Sequence, residues 1–205
     1  GEIGQFGAGQ TWSPFMDPDV FPNSVEYWGP NGMVFFRNVQ LRWMPLKGAQ
    51  AVTLALERPG ASGDLGVVED LVPPGGGVPF SQIHSRFPYP DLSAQYRWTG
   101  GWGHLQAAAI LRSIKWDDML ADTPGHAYDL SGSELGWGIN VSTNVKIHKD
   151  TLRASIVYGE GLENYMNDAP VDVALENPVV NPRDITGTAL PVFGLVAFYD
   201  CTWSD

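Results

Sequence analysis

Apolar and polar residues alternate along most of the chain, and Pro or Gly interrupts this pattern every 10 to 30 residues. Alternation with a period of two is typical of β-strands, and the 3.6-residue period of helices is almost absent. The pattern predicts an all-β antiparallel fold with strands at 2–12, 33–45, 50–58, 92–99, 102–115, 134–147, 151–161 and 190–203. Tight turns join some of these strands, whereas other connections are long, at 14–32, 59–91, 116–133 and 162–189.

Each of three predicted hairpins divides into an apolar and a polar face, because paired residues lie on the same side of the sheet. The expected two-residue turns are Lys47-Gly48, Gly100-Gly101 and Lys149-Asp150. On the apolar faces they would pair Trp43 with Val52, Tyr96 with Leu105 and Ile147 with Leu152. On the polar faces they would pair Arg42 with Thr53, Arg97 with His104 and Lys146 with Arg153.

Two architectures have such faces: a soluble β-sandwich with the apolar face inside, and an antiparallel transmembrane β-barrel with the apolar face toward lipid. The strand from Trp137 to Ile147 has ten steps. When tilted, it would span roughly 25 Å, the height of a barrel's apolar band. Aromatic residues lie near both ends of the band, at Trp43, Trp98 and Trp102 and at Phe35, Trp137 and Tyr158. Because tight turns also alternate with long connections, the pattern favours the barrel.

Composition excludes several other classes of protein. Twelve Lys and Arg against 23 Asp and Glu give a net charge of −11, which disfavours nucleic acid as a partner. A single cysteine, Cys201, excludes an intramolecular disulfide framework. The four histidines are scattered, and no nucleophile elbow or glycine-rich phosphate loop occurs, so we expect no metal site and no enzymatic activity.

Basic side chains collect on the predicted polar face and are candidates for lining a pore. The predicted pore-lining residues are Arg42, Arg97, His104, Arg112, Lys146 and Arg153, with Asn38, Gln40 and Glu57. Most acids fall in long connections, among them Glu163 and Asp172, so the pattern predicts a basic wall and an acidic exterior. A basic pore favours anions. The alternative is that these bases pair with Glu57 or with other acids.

The connection 14–32 is unusually rich in aromatic residues, at Phe15, Phe21, Tyr27 and Trp28. We predict that it packs inside the barrel as a constriction loop, with Asp17, Asp19 or Glu26 meeting wall arginines. Packing over the rim or at an interface between subunits is the alternative.

Two further sets of charged residues have open interpretations. The pairs Asp17–Asp19 and Asp117–Asp118 could bind Ca²⁺, but solvated charge is the favoured interpretation and no cofactor is predicted. Arg37 and Arg58 face outward near the long connections, where either lipid phosphates or an exposed or interface position would suit them.

Five segments spread over nearly the whole chain resemble Gram-negative outer-membrane porins of the DcaP type. They are FGAGQTWSPFMD (6–17), FFRNVQLRW (35–43), TGGWGHLQAAAILRSI (99–114), YGEGLENY (158–165) and LPVFGLVAFYDCTWSD (190–205). The resemblance implies a homotrimeric porin that transports dicarboxylates and other small anions, with about sixteen strands in each barrel. We therefore expect residues 1–205 to be a single β-barrel segment and a fragment of a longer subunit. A complete barrel of eight strands is the alternative.

The sequence thus predicts a porin of the bacterial outer membrane, in contact with lipid and lipopolysaccharide, through which small anionic solutes diffuse. The alternative is a secreted β-sandwich carbohydrate-binding module, whose Trp side chains would stack on sugars.

Overall fold

The computed structural model of the protein describes residues 1–26, 29–64, 83–122, 124, 129–169, 171–176 and 186–203. Within these ranges the chain forms β-strands and two short 3₁₀-helices, at Pro18–Val20 and Glu163–Tyr165, and no α-helix. None of the helices in this part of the chain has the length and apolar character needed to cross a membrane. The strands are β1 (Glu2–Ile3), β2 (Phe6–Trp12), β3 (Arg37–Leu46), β4 (Gln50–Glu57), β5 (Gly63–Asp64), β6 (Ile83–Arg86), β7 (Asp91–Gly100), β8 (Gly103–Asp118), β9 (Gly132–Ile147), β10 (Asp150–Glu160), β11 (Val173–Glu176), β12 (Thr186–Ala189) and β13 (Pro191–Asp200).

Eight of these strands form one antiparallel meander in the order β2-β3-β4-β7-β8-β9-β10-β13. They match the eight predicted strands in number and order, so the all-β antiparallel prediction is confirmed. The short strand β1 extends the sheet beyond β2, and β6 pairs with the end of β8. A second sheet, β12-β11-β5, lies in the predicted long connections. Its strands have two to four residues, too few for alternation to distinguish them from loops.

The hairpin registers differ from the predicted ones by two residues. Leu152 pairs with Val145 rather than Ile147, so the turn is His148-Lys149, and His148 has the positive φ of 59° that such turns require. Tyr96 likewise pairs with Ala107, and Trp43 with Leu54. The predicted pairs were therefore wrong. Because a shift of two residues preserves the alternation, each side chain still lies on its predicted face.

The distribution of polarity across this sheet is the reverse of that in a soluble protein. Large apolar side chains on one face are exposed, for example Leu41 at 62%, Ile139 at 50% and Leu195 at 61%. The polar residues on the other face are buried, including Gln40, Ser93, His104, Gln106, Arg112, Asn140 and Ser142. In the described residues no second sheet covers the apolar face, so the structure does not favour the β-sandwich alternative.

The hydrophobic core lies on the polar side of the sheet, where two connections fold against the wall. Phe15 and Met16 from one connection and Leu162, Tyr165 and Met166 from the other pack on Ala108, Ile110 and Val157 of the strands. Gly138 of β9 permits this packing, because a Cβ there would lie 2.8 Å from the Leu162 side chain. The connections, not a second sheet, therefore close the core.

The sheet is open in the described part of the chain. There, β13 pairs only with β10, and no pairing joins it to β1 or β2. The number of about sixteen strands and the single segment over 1–205 stay predictions.

Candidate functional site on the inner face

We call the polar side of the sheet the inner face, and residues 13–21 the inner segment. The inner face binds the backbone of the inner segment. Side-chain amides of three strands donate hydrogen bonds to carbonyl oxygens in or next to this segment. The bonds run from Gln40 to Trp12 (3.1 Å), Gln106 to Met16 (3.1 Å), Asn140 to Phe15 (2.8 Å) and Asn144 to Asp19 (3.1 Å). A buried carbonyl oxygen without a hydrogen-bond donor destabilises the folded state. These amides therefore hold the inner segment in place across the wall.

The inner segment also carries an ion cluster, the Asp17 cluster, which consists of Asp17, Asp19, Arg97, His104 and Ser142. The buried Asp17 carboxylate lies 2.6 Å from His104 Nε2, accepts a hydrogen bond of 2.6 Å from Ser142 Oγ and pairs with Arg97 at 3.3 Å. Arg97 also pairs with Asp19, whose side chain is 54% exposed. Burial alone would raise the pKa of Asp17, but hydrogen bonds from His104 and Ser142 outweigh it, and the pKa is lowered.

The Asp17 cluster bears on the predicted Ca²⁺ sites. Ligand atoms of Asp17, Asp19 and His104 lie within 4.8 Å of one another. The sequence did not predict this grouping, because His104 is far from both acids along the chain. Arg97 already brings positive charge to both carboxylates, so a cation bound there would have to displace its guanidinium group. At the other predicted pair, Asp117 pairs with Arg86 at 3.2 Å, and Asp118 accepts a hydrogen bond from the Leu120 amide.

A second ion cluster, the Arg112 cluster, consists of Arg112, Asp91, Asp172 and Tyr165. The Arg112 side chain is buried and pairs with Asp91 at 3.1 Å and with Asp172 at 2.7 Å. Tyr165 donates to Asp91 at 3.0 Å, and its ring centroid lies 5.0 Å from Arg112 Cζ. Arg112 also donates to the carbonyl oxygens of Gly60 and Gly161. The cluster thus ties two connections to the wall.

Two acids beside these clusters are buried, and one carboxylate oxygen of each has no hydrogen-bond partner among the described residues. Glu57 accepts hydrogen bonds from Ser13 (2.7 Å) and Ser93 (2.5 Å) through Oε1, while Oε2 has no hydrogen-bond partner among the described residues. Glu163 Oε2 also has none within that part of the chain. Burial, followed by repulsion from Asp172, raises the pKa of Glu163 to about 7.

Acids neutralise several of the predicted pore-lining bases. Arg97, Arg112 and Arg153 all form ion pairs, the last with Asp200, and His104 contacts Asp17. By contrast, Arg42 and Lys146 form no ion pair with any described residue. The expected separation into a basic wall and an acidic exterior was therefore too simple. Asp172 and Glu163 fold inward with their connections, and Asp91 is a further buried acid on the inner face.

The remaining site residues lie apart from the two ion clusters. Asn38 donates to the Arg58 carbonyl oxygen at 2.7 Å, and Glu26 is exposed and lies outside the Asp17 cluster. Tyr27 and Trp28 of the predicted constriction loop lie outside the described residues. Alternation places Gln106, Asn140 and Ser142 on the inner face, but nothing in the sequence indicated that they would hold the inner segment.

Comparison with known proteins gives one structural relationship to report. No protein-family model and no curated protein sequence matches the chain. Among solved structures, the chain is similar to the outer membrane channel DcaP of Acinetobacter baumannii, with a TM-score of 0.61 and 19% sequence identity. The match covers 88% of this chain and 44% of that channel, so the chain spans less than half of the channel's length. The likeness shows a fold of the outer-membrane channel type.

Proposed function

We propose that the protein is a porin, or part of one, through which small hydrophilic solutes diffuse across a bacterial outer membrane. One observation carries the proposal: the strands expose large apolar side chains on one face and bury polar and charged ones on the other. This arrangement suits a wall between lipid and a water-filled lumen. The similarity to an outer membrane channel supports the same role. The proposal includes a homotrimer in a Gram-negative bacterium and requires no enzymatic step.

The inner segment would narrow such a lumen. Its side chains and the wall meet at the Asp17 cluster, where Asp19 is exposed and Arg97 is half-buried. A solute passing the inner face would therefore meet a charged, hydrogen-bonding surface, which is how porins and channels discriminate between solutes.

The preference for anions is the finer part of the proposal, and it rests on Arg42 and Lys146. Acids already neutralise Arg97, Arg112 and Arg153, so their charges attract a passing anion only weakly. Arg42 and Lys146 lie on the inner face without an ion pair among the described residues. Arg42 interacts electrostatically with the buried Glu57, so the field of Lys146 is the less cancelled of the two. A solute with two carboxylates carries more charge than one with a single carboxylate and would be attracted more strongly by this field.

The first experiment fractionates the native host cell and compares the migration of the protein on a denaturing gel with and without boiling. Recovery in the outer-membrane fraction with a heat-dependent shift supports the porin. A soluble protein with heat-insensitive migration would contradict it and would restore the carbohydrate-binding module.

Planar bilayer recordings then test the anion preference. We expect the reversal potential in a salt gradient to indicate anion selectivity and to move toward cation selectivity in the double variant Arg42→Gln/Lys146→Gln. The matched control is Arg37→Gln/Arg58→Gln, which removes the same charge from the opposite face of the sheet. Equal effects of the two double variants would show that the inner-face bases do not determine selectivity.

A further inference from the structure

The apolar outer face carries two arginines close together, at its end next to the long connections. Arg37 begins β3 and Arg58 directly follows β4, and both are exposed. Alternation places Arg37 on the same side as Val39 and Leu41, and Arg58 on the same side as Leu56. Val39, Leu41 and Leu56 are 51%, 62% and 47% exposed, so the two charges border an apolar surface.

The ladder between β3 and β4 brings the two arginines together. The Arg58 amide donates to the Val39 carbonyl oxygen at 2.8 Å, so Arg58 lies opposite Val39. Arg37 is two residues before Val39 and is therefore the diagonal neighbour of Arg58, at a Cα separation of roughly 7–8 Å. Two side chains as long as arginine can reach one small anion from these positions.

Neither arginine is neutralised in the described part of the chain, where they form no ion pair. The guanidinium carbon of Arg37 lies 5.0 Å from the centroid of the Trp12 ring. This contact orients the group but leaves its charge uncompensated. Three arginines of the inner face show the contrast, since Arg97, Arg112 and Arg153 have acidic partners. In a chain with 23 acids and 12 Lys and Arg, two neighbouring arginines without an ion pair in the described residues are a distinct feature.

We propose that Arg37 and Arg58 bind the phosphate group of a lipid whose acyl chains lie on the adjacent apolar surface. Guanidinium groups bind phosphate through paired, charge-assisted hydrogen bonds, and the exposed Val39, Leu41 and Leu56 suit acyl chains. The inference rests on the proposed function in one respect. If the long connections are extracellular, as in outer-membrane barrels, the lipid is a phosphorylated glycolipid of the outer leaflet.

The test measures lipid binding by the purified full-length protein in a neutral detergent. Mixed micelles contain either diphosphoryl lipid A or the same lipid after enzymatic removal of its phosphates, and bound lipid is quantified through its fatty acids. The wild-type protein should prefer the phosphorylated lipid by about 25-fold, because each arginine near an anionic surface is worth about fivefold. Arg37→Gln or Arg58→Gln should each lose about fivefold of the preference, and the double variant nearly all of it.

The control is Arg42→Gln/Lys146→Gln, which removes the same charge from the inner face and should keep the preference. Equal binding of both lipids by the wild type, or an unchanged preference in Arg37→Gln/Arg58→Gln, would overturn the proposal. Full displacement of the lipid by inorganic phosphate would also overturn it, because the site would then take a free anion. Conductance and heat-dependent migration, measured on the same samples, test the porin separately. A conducting protein that does not distinguish the lipids would refute only this inference.

Discussion

The Asp17 cluster and the Arg112 cluster both hold connections against the inner face, but the wall contributes different residues to each. In the first, the inner segment supplies the acid, Asp17, and the wall supplies the bases Arg97 and His104. In the second, the wall supplies the base, Arg112, which receives Asp91 from its own sheet and Asp172 from a connection. In both clusters a connection therefore supplies an acid to a base of the wall, but only the Arg112 cluster also includes an acid of the wall, Asp91.

The two clusters also differ in their access to water. Arg112, Asp91 and Asp172 have side chains that are at most 3% exposed, whereas in the Asp17 cluster the side chains of Arg97 and Asp19 are 20% and 54% exposed. Water screens an exposed pair, whereas removing one member of a buried pair leaves an uncompensated charge. We infer that the Arg112 cluster mainly stabilises the fold and that the Asp17 cluster is the one that a solute would contact in the proposed porin.

Arg112→Met should have the largest effect, because it leaves Asp91 and Asp172 buried without their base. We expect the free energy of unfolding, measured by urea titration in detergent, to fall by about 3–5 kcal/mol. The control Arg153→Met breaks a pair whose side chains are 20% and 31% exposed, and should cost about 1 kcal/mol or less. Similar losses in both variants would contradict the distinction between the clusters.

Glu163, next to Asp172 and Arg112, should make stability depend on pH. The pKa of its buried carboxyl is raised from 4.5 to about 7, so between these values the folded state binds more protons than the unfolded state. Protonation of Glu163 therefore contributes its full stabilisation below about pH 4.5, and this contribution to the free energy of unfolding is lost as the pH rises to about 7. The loss is at most about 3.5 kcal/mol, since one pKa unit corresponds to about 1.4 kcal/mol and water screens part of the effect.

Urea titrations of the wild type and Glu163→Gln across this pH range isolate the contribution of Glu163, because other titrating groups are common to both proteins. The difference in free energy of unfolding between the two proteins should change with pH. A constant difference would mean that Glu163 titrates normally in the folded state.

Asp17→Asn should lower the free energy of unfolding, measured by urea titration, by about 2 kcal/mol. The substitution keeps the shape of the side chain but removes the negative charge that His104, Ser142 and Arg97 all contact. Asp19→Asn is the matched control and should cost less than about 1 kcal/mol, since Asp19 is more than half exposed.

The same cluster should affect permeation. Reversing the charge of both Asp17 and Asp19 should alter single-channel conductance or ion selectivity in bilayer recordings. Unchanged currents would count against a place for the inner segment in the pathway of the solute.

Asn140→Ala should have the smallest effect, about 1–2 kcal/mol, because it leaves the buried Phe15 carbonyl oxygen without its donor. Asn144→Ala removes an equivalent but exposed bond to the Asp19 carbonyl oxygen, which water can replace. The measurement is again the free energy of unfolding. Equal losses would mean that burial does not distinguish the two amides.

The sequence alone determined the strands and the two faces of the sheet. Period-two alternation assigned Trp43, Tyr96 and Leu105 to one side, and Gln40 and His104 to the other. These assignments held although the hairpin registers were wrong, because a shift of two residues keeps every side chain on its face.

Only the tertiary structure decided which charges meet. Arg112 and Asp172 are 60 residues apart, and Ser142 and Asp17 are 125 apart, so no local pattern relates them. Their contact depends on where long connections fold, and connections carry no periodic signal. Alternation is also symmetric with respect to the two sides of a sheet. The side that is buried was therefore decided by the connections packing Phe15, Leu162 and Tyr165 against the polar face.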